Sequence, residues 1–107
     1  MGIYVAHYQD EHRLDVTVED NLDLTLTQSF MEASRFVDEQ LETCVIDCTR
    51  VRRVFDSGLA LLLMLVEKLN KFRVRLILLG ESTSHLQEFL QFRGNTGLSD
   101  SGNPRFS

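Results

Sequence analysis

The sequence predicts an α/β domain in which a mixed sheet of four to five strands carries its helices mainly on one face. Three observations predict it. Leu14, Val16 and Val18 alternate with Asp15, Thr17 and Glu19 in the two-residue period of a half-buried strand. Leu26, Phe30, Ala33, Val37 and Leu41 recur at steps of three and four, which lays them along one side of a helix. Short apolar segments at residues 44–46 and 74–79 then alternate with a second helical stretch. The resulting order is ββαβαβα, and its strand–helix–strand units are expected to be parallel with right-handed crossovers.

Each element has its own signal. Residues 3–8 are rich in β-branched and aromatic side chains, and the polar run Gln9, Asp10, Glu11 and His12 predicts a hairpin-like connection to the second strand. A polar link at Glu19, Asp20 and Asn21 precedes the first helix. Its start is marked either by Asp23 or by Thr25 with Gln28 three residues on, since both arrangements can satisfy free amide hydrogens of a first turn. Residues 44–46 read as a central strand, covered on both faces or deep in a parallel sheet, with Asp47 near its end. Residues 49–55 read as a loop. Residues 58–70 contain no proline and abundant leucine, as a helix requires, and Gly80 closes the strand that follows. A third helix is expected over residues 84–92, with Ser84 and Gln87 as a capping box and Leu86, Phe89 and Leu90 as its apolar stripe.

With 107 residues, 43% of them hydrophobic, the chain has material for one core and not for two. The domain is taken as residues 1–98, and the Gly, Asn, Ser and Pro-containing residues 99–107 as a mobile tail. A net charge of -5 argues against binding to nucleic acid or to anionic membranes, both of which draw on many Lys and Arg contacts. Cys44 and Cys48 lie four apart in a strand and so about 13 Å apart on one face, too far for a disulfide. They read as buried thiols of a reducing compartment. His7, His12 and His85 are scattered and no metal-ligand spacing occurs, so neither a metal nor a cofactor is expected. The first residues lack a basic start and an apolar run, and the longest apolar run, residues 59–66, is eight residues against the roughly 20 that span a bilayer. The expectation is a cytoplasmic protein with no membrane insertion.

In open α/β sheets the functional crevice lies beyond the C-terminal ends of the strands, where loops enter helices. Ser57 falls there, in Asp56-Ser57-Gly58-Leu59. A serine at a helix start serves as a cap, contributing about 1 kcal/mol, or as an exposed hydroxyl whose phosphorylation a helix N-terminus tolerates. Arg50, Arg52 and Arg53 cluster before it and either pair with acidic or phosphorylated groups or remain a solvated loop. Along the helix Leu59, Leu62, Leu63 and Val66 have core spacing, while Leu61, Met64 and Leu65 leave little polar face. That surplus predicts a docking patch or homodimer contact, with burial under neighbouring helices as the other reading.

Val45-Ile46-Asp47-Cys48-Thr49, followed after seven residues by Ser57-Gly58-Leu59-Ala60-Leu61-Leu62, resembles the signature of STAS domains. These occur in bacterial anti-sigma-factor antagonists and in transporter-associated proteins. Leu22-Asp23 and Thr96-Gly97-Leu98 also resemble family positions, so the resemblance spans about residues 3–98. It implies a non-catalytic interaction domain whose Ser57 aligns with the residue that a partner serine kinase phosphorylates in switchable antagonists. Two positions depart from the pattern: Phe55 stands where the family usually has Asp, and Asp56 where it often has Ser. The carboxylate thereby moves next to the acceptor, where it either caps the helix or adds like charge against a kinase. The resemblance implies a protein partner, either a kinase-type anti-sigma regulator or the ATPase of a bacterial ABC transporter of the lipid type. The candidate contact residues are Asp23, Arg50, Arg52, Arg53, Asp56, Ser57, Gly58, Leu61, Met64 and Leu65. A serine hydrolase is disfavoured, because no Gly lies two residues before Ser57 and His85, the one downstream His, has no evident orienting acid.

Overall fold

The computed structural model describes residues 2–80. Strand β1 (Ile3–Tyr8) and strand β2 (Arg13–Leu22) form an antiparallel hairpin in unbroken register from Ile3 opposite Val18 to Tyr8 opposite Arg13. They are joined by a single 3-10 turn, Gln9–Glu11, closed by His12 in the left-handed region at φ 53°. The predicted alternation in β2 holds, with Leu14, Val16 and Val18 buried and Arg13, Asp15 and Thr17 only half-buried.

Asp23 ends β2 and caps a 3-10 turn, Leu24–Leu26, by accepting hydrogen bonds from the Thr25 amide at 3.0 Å and from the Thr25 hydroxyl. Helix α1 (Thr27–Ser34) follows with Leu26 in the N-cap position and no side-chain cap, so the Thr25/Gln28 capping box does not form. The helix is also shorter than the apolar spacing predicts. Val37 and Leu41 are buried as expected, but they lie in turns beyond the helix. The Asp38 carboxylate accepts from the amides of Gln40 at 2.9 Å and Leu41 at 3.2 Å, a local alternative to helical hydrogen bonding that ends the run.

Strand β3 (Thr43–Val54) is central, parallel to β2 on one side and to β4 (Arg75–Leu79) on the other. The sheet order among the described residues is β1-β2-β3-β4. Of the two readings offered for residues 44–46, position within a parallel sheet is the one that holds: Cys44, Ile46 and Cys48 are buried, and Val45 and Asp47 on the other face are half-buried. Residues 49–54, predicted as loop, are strand. They pair with the end of β2, Glu19 with Arg50 and Leu22 with Val54, through register shifts between Thr17 and Glu19 and between Asp20 and Asn21. The bulges break the period of two, so Val51 and Val54, three apart, both pack on the core.

Helix α2 (Asp56–Lys71) buries Gly58, Leu61, Leu62, Leu65, Val66 and Leu69, a stripe at helical spacing. It packs beside α1, and the Lys68 ammonium donates to the Ser34 carbonyl at 2.8 Å where α1 ends. The burial of Leu61 and Leu65 overturns their assignment to a surface patch. The core lies between these helices and the face of the sheet that carries Leu14, Val16, Ile46 and Leu76. The expected third helix, the Thr96-Gly97-Leu98 segment and the tail lie outside the described residues. Among the described residues no helix is long and apolar enough to cross a membrane.

Candidate partner-binding site at the start of α2

The parallel strands β2 and β3 end side by side, and their ends create the site. The Phe55 amide donates to the Leu22 carbonyl at 3.0 Å, which ties the start of α2 to the end of β2. Phe55 is extended (φ -110°, ψ 155°) and its carbonyl takes the first helical bond from the Leu59 amide at 2.9 Å. Gly58 is then pressed against β2. A Cβ at that position would stand 2.1 Å from the Leu22 carbonyl oxygen and 2.7 Å from the Asp23 nitrogen, so only glycine permits this approach. The predicted neighbours Asp23, Asp56, Ser57 and Gly58 are thus brought together.

Neither serine nor aspartate caps the helix. Phe55 occupies the N-cap without a side-chain bond, Asp56 is the first helical residue and Ser57 the second. The first-turn amides of α2 therefore retain unsatisfied hydrogen-bonding capacity, and the exposed Asp56 carboxylate lies where the helix dipole favours negative charge. Ser57 is half-buried, and its hydroxyl has no hydrogen-bond partner among the described residues.

The arginines stand on the extended arm of β3 and not on a loop. Arg50 reaches Glu19 of β2 at 3.2 Å with 74% of its side chain exposed, a surface pair that contributes little to stability. Arg52 and Arg53 are exposed and make no ion pair among the described residues. A shallow depression lined by Glu19, Asp20, Thr49, Arg50, Val51 and Arg52 runs along this arm. At the base of the arm the Asp47 carboxylate accepts from the Thr49 hydroxyl at 2.7 Å and amide at 2.9 Å. These bonds, the hydroxyl first, hold the Asp47 carboxyl below its ordinary range, with a smaller contribution from Arg50.

Three large apolar side chains are exposed on or beside this helix: Leu24 at 63%, Phe55 at 42% and Met64 at 56%. Met64 was expected on the surface; Leu24 was not singled out, because exposure of one leucine after a capping aspartate leaves no trace in a periodic pattern. Cys44 and Cys48 are buried thiols not joined in a disulfide, both pushed up to about 12 mainly by desolvation. Among the described residues no group of three or more His, Cys, Asp or Glu side chains is positioned to hold a metal ion.

No protein-family model matches the chain, and no curated protein matches it in sequence. Solved structures do match. The anti-sigma factor antagonist SpoIIAA in its unphosphorylated form superposes with a TM-score of 0.68 at 18% identity, over 84% of this chain and 82% of that one. An anti-sigma-factor antagonist STAS domain from Rhodobacter sphaeroides matches at 24% identity and a TM-score of 0.57, over 76% of this chain and 87% of that one. The chain has a STAS-like fold. The same fold is found as a part of a larger protein, Mglu in its native form, with a TM-score of 0.62 and 15% identity over 75% of this chain. The chain spans only 18% and 23% of the length of two Mglu chains that it resembles.

Proposed function

We propose that this STAS-like chain is a non-catalytic regulatory interaction domain of the anti-sigma-factor-antagonist kind, which docks a kinase-type anti-sigma regulator on the surface around the start of α2. The observation that carries this reading is Ser57: a hydroxyl without a partner among the described residues, in the first turn of a helix whose Gly58 is pressed against the backbone of Leu22 and Asp23. Phosphorylation there adds up to about two negative charges, which the free first-turn amides tolerate and a partner surface does not. The fold then stays intact while the docking surface changes sign. Arg52, Arg53 and Asp56 supply its charged rim, and Leu24, Phe55 and Met64 its apolar contacts. The expected setting is the cytoplasm, with no cofactor.

The test combines mass spectrometry and calorimetry with a GHKL-type anti-sigma kinase of the same organism. The wild type is expected to gain one phosphate at Ser57, and Ser57→Asp to bind about tenfold more weakly, or about 1.4 kcal/mol. An unmodified Ser57 together with unchanged affinity in Ser57→Asp rejects the switch. One observation favours a second reading, a constitutive subunit docked on the ATPase of an ABC transporter. Ser57 is half-buried and its neighbour Asp56 already presents a carboxylate, both of which oppose a kinase. In that case pull-down recovers a transporter ATPase, and Ser57→Asp leaves its binding unchanged.

A further inference from the structure

Strand β1 is an edge of the sheet, and no strand pairs with its outer side among the described residues. The Glu19 amide donates to the Gly2 carbonyl at 2.7 Å, which fixes Gly2 opposite Glu19 as a hydrogen-bonded pair. Antiparallel alternation then turns the backbone groups of Tyr4, Ala6 and Tyr8 toward β2 and those of Ile3, Val5 and His7 outward. Natural edges are protected by lysine, proline, bulges or inward charges. The edge of β1 has none of these, and its register with β2 is continuous.

We infer that the outer edge of β1 pairs with the β1 edge of a second copy of this chain, antiparallel about a two-fold axis at Val5. Three features select a second copy. Centring on Val5 sets Ile3 against the second copy's His7 and uses every outward amide and carbonyl of the three residues, on the order of six inter-strand bonds. Charge is compatible with self-association: in a chain of net charge -5, residues 2–9 contain none of the 11 basic and 16 acidic residues, so the copies meet where repulsion is least. The flanks are apolar on both sides of the sheet. Tyr4 and Tyr8 are exposed at 55% and 46%, and on the helix side His7 stacks on Phe36, ring centroids 4.6 Å apart, with Phe36 exposed at 38%. The second copy's Ile3 comes to lie beside this ring pair.

The register itself can be tested. Hydrogen-bonded pairs lie about 5.5 Å apart at Cα, within disulfide range, so Val5→Cys is expected to form a covalent dimer on mild oxidation. Ala6→Cys, which faces Tyr4 of the second copy, does not. The native thiols are buried and take no part. In sedimentation velocity the wild type forms a dimer with rising concentration. Val5→Pro removes an outward amide that β2 does not use, and weakens the dimer by about tenfold or more while far-UV circular dichroism is unchanged. Tyr4→Lys, which retains the backbone, weakens it as well. A wild type that stays monomeric at its highest soluble concentration overturns the inference. So does a dimer that persists in both Val5→Pro and Tyr4→Lys, or a cross-link through Ala6→Cys in place of Val5→Cys.

Discussion

Gly58 has no room for a methyl group, because the ideal Cβ position overlaps the Leu22 carbonyl. Backbone on one side and a helix on the other cannot both yield. Gly58→Ala is therefore expected to cost about 3 kcal/mol or more, read as a lower urea midpoint. Phe55 offers the opposite case. It is extended like an N-cap but bonds no amide with its side chain, so Phe55→Ser is expected to stabilise the fold by about 1 kcal/mol. An unchanged midpoint would mean that the lost contacts of the half-exposed ring offset the cap. The sequence signalled Ser57, Gly58 and Asp23 because glycine and capping residues leave local marks. It did not signal the order of roles within the turn: whether Phe55, Asp56 or Ser57 takes the cap depends on where β3 ends, and that depends on pairing with β2.

At the scale of elements, α2 separates pattern from packing. The run Leu61 to Leu65 is apolar throughout, and sequence periodicity alone could not say which of its residues face outward. The contact with α1 and the sheet decides it: Leu61 is 7% exposed and Met64 56%. Leu61→Ala is expected to destabilise by about 2 to 4 kcal/mol, while Met64→Ala stays within about 0.5 kcal/mol but weakens partner binding. Equal stability losses in the two variants would contradict the placement of α2. Strands β1, β2 and the first half of β3 were legible because one buried face imposes a period of two. The arm of β3 was not, because two register shifts place Val51 and Val54 on the same side and leave the arginines between them. Helix α1 was over-read for a related reason, since Val37 and Leu41 continue its apolar spacing after Asp38 has turned the chain.

For the whole molecule, the order of strands and helices was legible because each element carries a distinct periodicity, whereas the surface that meets a partner is a property of juxtaposed strand ends. The two buried thiols give the molecule a pH signature. Burial holds both near 12, above the ordinary value of 9.0, so the folded state keeps protons that the unfolded chain releases. Their contribution is fully present below pH 9 and is lost as pH rises toward 12, at up to about 1.4 kcal/mol per pH unit for each thiol. Urea midpoints should fall across that window, and less steeply in Cys44→Ala/Cys48→Ala. Of all measurements, mapping the contact surface by amide chemical shifts bears most directly on the proposed function. On titration of the labelled chain with the anti-sigma kinase, shifts should concentrate at Asp23, Leu24, residues 52–59 and Met64, and weaken in Ser57→Asp. Saturable binding that leaves those amides unmoved, with shifts confined to other surfaces, would contradict the assignment of the α2 start as the docking site.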